Sequence, residues 1–283
     1  MTESTGAGAP MVATRAAWVL PISQPPIRDG GLLARDGRIL DVGPWGAIAA
    51  RAGAHERAVI PVERRDVGAR AMLPGLVNAH AHLELSWMRG RLPRLPSMPD
   101  WARALIDLRR RENADEAAAA EAGIREMVAC GTAAVGDIGN SAASCRPLAR
   151  SPLRAVVFRE LLGFNPADAA AMVARAAGQA RDEEAANVRV TLSAHAPYSV
   201  APGLFRAILA RVAAGDGLLT GVHAAESCEE VRFLDDGTGP WRDLLESVGA
   251  WNPRWQPPRC TPIDYLDRLG WLREGVRRTH AVR

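Results

Sequence analysis

From Pro74 onward, short apolar runs alternate with longer stretches of helical periodicity, an alternation that restricts this part of the chain to a parallel α/β architecture. The strand-like runs are Gly75–Ala79, Thr132–Asp137, Arg154–Glu160, Arg189–Ala194, Leu218–Val222 and Arg277–Ala281. Between them, Asp100–Arg111 sets Trp101, Leu105 and Leu108 on one side of a helix. Ala114–Ala129 turns Ile124, Met127 and Val128 inward and stops before Gly131, a glycine suited to ending a helix. Ala167–Ala186 and Pro202–Ala213 follow. Pro262–Leu269 begins after Thr261, with proline in its first turn and Gly270 beyond its end. This order predicts a (β/α)8 barrel rather than a doubly wound sheet, and no Gly-x-Gly-x-x-Gly follows the first strand. Eight units take about 250 residues, so the stretch to Arg283 accommodates only about six β–α units.

Ahead of Pro74 the pattern is shorter: Ala16–Leu20, Gly31–Arg35 and Arg38–Val42 read as strands, the last two joined by an Asp36-Gly37 hairpin turn. They predict a small β-sandwich domain over residues 11–70 with Trp18, Ile39 and Leu40 in its core. Residues 1–10 read as disordered, and residues 71–283 as the partial barrel. Composition excludes several classes. Four widely spaced cysteines without a C-x-x-C pair argue against a disulfide framework or a cysteine zinc knuckle. A net charge of +3 with no basic stripe gives no footprint for nucleic acid. No signal-peptide pattern and no apolar run of about 18 residues is present, so the expectation is a cytoplasmic enzyme without a membrane partner. Every basic side chain is arginine; the sequence contains no lysine.

The histidines carry the chemical argument. His80 and His82 end the first apolar strand two positions apart, and residues i and i+2 of a strand face the same side. The carboxyl rim of barrel strands is where active sites of this architecture lie, and two converging neutral imidazoles suit a divalent ion. His223 ends the fifth run, with Glu226 three residues on, a carboxylate placed to move protons. His195 follows the fourth run and His280 lies in the sixth. His55 lies outside this pattern.

The stretches Pro74–Glu84, Ser193–Val200, Val222–Ser227 and Thr261–Leu272 together resemble the amidohydrolase superfamily, in particular its cytosine, guanine and S-adenosylhomocysteine deaminases and triazine chlorohydrolases. The resemblance implies that His80, His82 and His223 bind one divalent metal ion, Zn or Fe. It implies that Glu226 is the general acid/base, and that His280 hydrogen-bonds the attacking hydroxide or the developing oxyanion. Glu84 and His195 would contact a small-molecule substrate, with Trp87 and Trp101 either walling the pocket or packing in the core. Many two-metal members bridge their ions through a carboxylated lysine; a chain without lysine favours the one-metal branch. The segment Glu229–Arg259, with Trp241, Trp251 and Trp255 among Gly and Pro, resembles a covering loop that sets specificity.

Strands seven and eight of the family pattern, and the aspartate that ends strand eight, have no counterpart after His280. The resulting expectation is a truncated member whose N-terminal domain lacks its C-terminal half. Three readings follow: deamination of an amino-heterocycle or purine nucleoside derivative, hydrolytic dechlorination by the same apparatus, and an inactive fragment or pseudoenzyme. Homo-oligomer formation stays open.

Overall fold

The computed structural model describes residues 10–215 and 219–272, and the backbone of 276–279. The expected disorder of residues 1–10 and the candidate His280 thus fall, save for Pro10, outside the described residues. The chain divides into two compact units, Met1–Gly75 and Leu76–Arg283.

The first unit is a five-stranded sheet with one helix. Its strands are β1 (Met11–Val19), β2 (Ile27–Arg35), β3 (Arg38–Pro44), β4 (Val62–Asp66) and β5 (Ala71–Met72), and α1 spans Trp45–Arg57. The β3-β2-β1 portion is antiparallel; β4 and β5 both run parallel to β1. Asp36 and Gly37 both adopt positive φ at the hairpin tip, as an Asp-Gly turn requires. Met11, Ala13 and Leu33 of the sheet pack on Ile48 and Ala52 of α1. The expected core was wrong: Trp18, Ile39 and Leu40 are 44%, 64% and 52% exposed. Ile39 and Leu40 sit beside the hairpin turn on the edge strand, where little can cover them. The helix escaped the sequence reading because its buried stripe is only Ile48 and Ala52, too thin to stand out among alanines and glycines. A single sheet covered by this helix, rather than two facing sheets, makes up the described part of the unit.

The second unit is α/β with parallel strands: β6 (Leu76–Ala81), β7 (Thr132–Gly139), β8 (Arg154–Leu161), β9 (Val188–Ala194), β10 (Thr220–His223) and β11 (Val276–Thr279). The helices are α2 (Met98–Arg111), α3 (Glu116–Ala129), α4 (Cys145–Ala149), α5 (Ala169–Asp182), α6 (Pro202–Ala213), α7 (Cys228–Asp236), α8 (Pro240–Ser247) and α9 (Pro262–Arg268), and a 3₁₀ turn covers Leu83–Met88. Strands β6 to β9 form one parallel sheet in sequence order, and β10 pairs with β11 in parallel. Side chains join the two sets, for Thr191 Oγ1 donates to the Leu219 carbonyl and Thr220 Oγ1 to that of Leu192.

One face of β7 and β8 sends Val135, Ala155 and Val157 against Ile124 of α3 and Leu148 of α4. A larger core gathers Leu192 and Val222 with the apolar faces of α5 to α9. Val128, expected inward, is 38% exposed on α3, because Ala120 and Ile124 fill the contact with the sheet. The segment expected to be a covering loop is mainly α7 and α8. Ser227 caps α7 and Gly237 ends it in the left-handed conformation. Trp241 and Trp255 are core residues, only 3% and 9% exposed.

Gly136 decides how closely β6 approaches β7. A Cβ there would lie 2.6 Å from the Ala79 carbonyl oxygen, a backbone atom unable to yield without moving β6. Gly136→Ala is expected to destabilise the second unit by about 1–3 kcal/mol, read as a lower urea midpoint at unchanged slope.

Candidate active site

Parallel pairing brings the carboxyl ends of successive strands to one rim, and backbone hydrogen bonds stitch the residues that follow. The His195 N–H donates to the Leu161 carbonyl at 3.1 Å, and the His223 N–H to the His195 carbonyl at 2.8 Å. This ties the ends of β8, β9 and β10 together at the histidines. His80 and His82 meet as the period-two reading requires, with their Nε2 atoms 3.1 Å apart. Donor atoms of His80, His82 and His223 all lie within 4.8 Å of one another.

Two ring nitrogens so close need a proton or a cation between them. Two donors at ~2.0–2.1 Å from a shared ion, at roughly tetrahedral or right angles, stand about 2.9–3.4 Å apart, and the His80–His82 pair falls in that range. Burial holds His82 and His195 below the ordinary histidine pKa, favouring the neutral imidazole that ligates a metal. The donor set therefore fits a borderline divalent ion.

Glu226 lies beyond β10 on a strained turn. Ala225 has φ 55°, a conformation that costs a non-glycine residue energy and persists only where neighbours enforce it. They do so here: the Glu226 N–H donates to Glu230 Oε2 at 2.8 Å, and the Tyr198 hydroxyl donates to Glu226 Oε2 at 2.6 Å. Tyr198 is stacked on Trp241, with ring centroids 3.7 Å apart. Neither Tyr198 nor Glu230 was singled out from the sequence. The Ser227-x-x-Glu230 capping pattern was a legible signal for the second.

Two further carboxylates belong to the rim region. Glu160, near the end of β8, is 5% exposed and its Oε1 lies 3.2 Å from His223 Nδ1. Burial alone would raise its pKa, but His195 and His223 outweigh burial and bring it down to about 2. Burial likewise lowers His223, and the Glu160 carboxylate more than offsets this. Glu160 closes a strand legible in the sequence, so its rim position was readable, but a lone carboxylate carries no motif of its own. Asp137 of β7 is 1% exposed; it accepts the Leu83 N–H at 2.8 Å, fixing the turn after His82, and burial pushes its pKa up to about 6.

Glu84, expected against substrate, stands in a polar network with both oxygens engaged. It accepts from Arg109 Nη2 (3.1 Å), the Asn140 N–H (3.1 Å), and the Ser141 N–H and hydroxyl (2.7 Å each). His195, likewise expected against substrate, belongs to a second group that shares His223, with donor atoms of Glu160, His195 and His223 within 4.8 Å of one another. Trp101, on α2, is 39% exposed, and Trp87 is partly buried beside Arg91.

Residues 71–248 match the amidohydrolase family model, which is more than half of the chain. The chain belongs to the amidohydrolase family. It is 32% identical over 224 residues to aminodeoxyfutalosine deaminase of Deinococcus radiodurans, covering 74% of this chain and 51% of that protein. It is 29% identical over 269 residues to 5-methylthioadenosine/S-adenosylhomocysteine deaminase of Moorella thermoacetica, covering 93% and 56%. The fold is similar to that of an atrazine chlorohydrolase from Arthrobacter aurescens complexed with zinc, with TM-score 0.71, 20% identity, and 96% and 61% coverage. This amidohydrolase thus spans about half the length of the curated relatives it matches.

Glu230 supplies a test of the turn that carries Glu226. Its side chain is fully buried, Oε1 has no hydrogen-bond partner among the described residues, and burial pushes its pKa up to about 8 from an unfolded value of 4.5. The native state therefore holds a proton that the unfolded state releases between these values, so stability falls as pH rises from about 4.5 to 8. Glu230→Gln should show a shallower decline of its urea midpoint between pH 5 and 8.5 than the parent; equal declines would remove Glu230 as the cause.

Proposed function

We propose that this amidohydrolase is a divalent-metal-dependent deaminase of an amino-purine nucleoside derivative, built on a partial (β/α)8 barrel of about six units with a composite N-terminal β-domain. The observation that carries it is the convergence of His80, His82 and His223 within 4.8 Å, with the nearby Glu226 carboxylate held by its own turn. His80, His82 and His223 hold one ion, zinc or iron. Zinc accompanies a structural neighbour, and deaminases recur among the relatives. When bound, such an ion supplies Lewis acidity that brings the pKa of a water molecule toward about 7.

Glu226 takes a proton from the attacking water and returns it to the departing nitrogen. The Tyr198 hydroxyl and the Glu230 carboxyl group keep it in one orientation between those two events. For His280, which lies outside the described residues, the resemblance implies a hydrogen bond to the attacking hydroxide or to the developing oxyanion. His195 faces the substrate ring, with its Nδ1 engaged by Ser199 Oγ.

Zinc-loaded protein offered a panel of aminopurine nucleosides should release ammonia, and a strong chelator should abolish that release. Glu226→Gln should lower kcat by about 10²–10⁴-fold while leaving metal content unchanged. Likeness of fold to a chlorohydrolase favours a second reading, hydrolytic dechlorination. Chloride release from a chlorotriazine, with no ammonia from any aminated heterocycle, would select it.

A further inference from the structure

We propose that Glu160 is a positioning residue for the metal ligand His223, and that Asn140, Glu84 and Arg109 hold Glu160 in turn. This rests on the reading of His80, His82 and His223 as an ion site. Metal-bound imidazoles generally present their second ring nitrogen to a carboxylate, carbonyl or water, which fixes the tautomer and aims the ligating nitrogen. Of the described carboxylates near His223, Glu160 is the one that approaches Nδ1, at 3.2 Å, which leaves Nε2 as the nitrogen available to an ion. The contact is within ion-pair distance without meeting hydrogen-bond geometry.

Glu160 itself has little freedom. It is 5% exposed, one oxygen is committed to His223, and the other accepts from Asn140 Nδ2 at 2.9 Å. Neither oxygen remains for a substrate. Asn140 is held at both ends: its backbone N–H donates to Glu84 Oε1 at 3.1 Å, and its Oδ1 accepts from Arg109 Nη1 at 3.3 Å. Arg109 also bridges Glu84 and Glu116, at 3.1 and 2.8 Å. Gly139 makes room for this arrangement, since a Cβ there would stand 3.1 Å from Glu84 Oε2. The chain of contacts runs from the guanidinium of α2, through a buried carboxylate and the loop after β7, to the ring of a ligand on β10. In this account Glu84 acts at a distance, by fixing the backbone that carries Asn140.

The test is ion affinity, which needs no turnover. The whole chain is titrated with Co²⁺ and Zn²⁺ against a chromophoric chelator, with circular dichroism as the check on folding. The parent should bind one ion per chain. Glu160→Gln should weaken binding by about 10–100-fold and alter the visible Co²⁺ spectrum, since the ligating ring is no longer aimed. Asn140→Ala, which touches no ligand, should weaken it in the same direction by a smaller factor, and it decides the matter if Glu160→Gln does not fold. His82→Ala is the control for the site itself. Parent-like affinity in folded Glu160→Gln, or in Asn140→Ala should that variant have to decide, overturns the positioning role while the ion site stands. Failure of the parent to bind, or parent-like binding by His82→Ala, overturns the ion site and this inference with it.

Discussion

Parallel strand pairing is the constraint on which the candidate site depends. Each βα unit returns its chain to the same end of the sheet, so residues far apart in sequence arrive at one rim without any contact among them directing it. The backbone bonds from His195 to Leu161 and from His223 to His195 continue that pairing past the last strand residues. They set the height of two imidazoles before any side-chain interaction is considered. Local devices then aim the groups: the Asp137 carboxylate for the turn after His82, and Glu230 with Tyr198 for Glu226.

Much of this was legible because strands and histidines obey short-range rules. The period of two predicted that His80 and His82 would converge, and their 3.1 Å separation is what that rule describes. Each expected strand from β6 to β11 lies within a few residues of the observed one, since apolar runs bounded by helical stretches are unambiguous. Helix α6 has the expected bounds, because proline at its start and a dense apolar stripe leave no alternative.

The residues that escaped were those whose meaning depends on a partner distant in sequence. Glu160 is an ordinary carboxylate until His223 is brought against it. The partners of Glu84 come from α2 and the loop after β7, none of them near it in sequence. Trp18, Ile39 and Leu40 misled in the opposite sense, since an apolar side chain announces burial only if something packs over it. In Glu229–Arg259, tryptophan with glycine and proline suggested a loop, where two short helices form and Trp241 and Trp255 are buried.

The composition gives the Arg109 network a particular character. A guanidinium keeps its proton at any pH a folded protein survives, and although burial works against its charge, Glu116 and Glu84 strengthen its hold further. Arg109 therefore cannot pass a proton to Glu84 or receive one, and the line of contacts from α2 to His223 cannot conduct. It is a fixed charge, acting as a mechanical brace rather than a proton wire. With arginine in place of lysine throughout, the same holds for every Arg–carboxylate pair described here: acidification can reach this molecule only through its carboxylates and imidazoles.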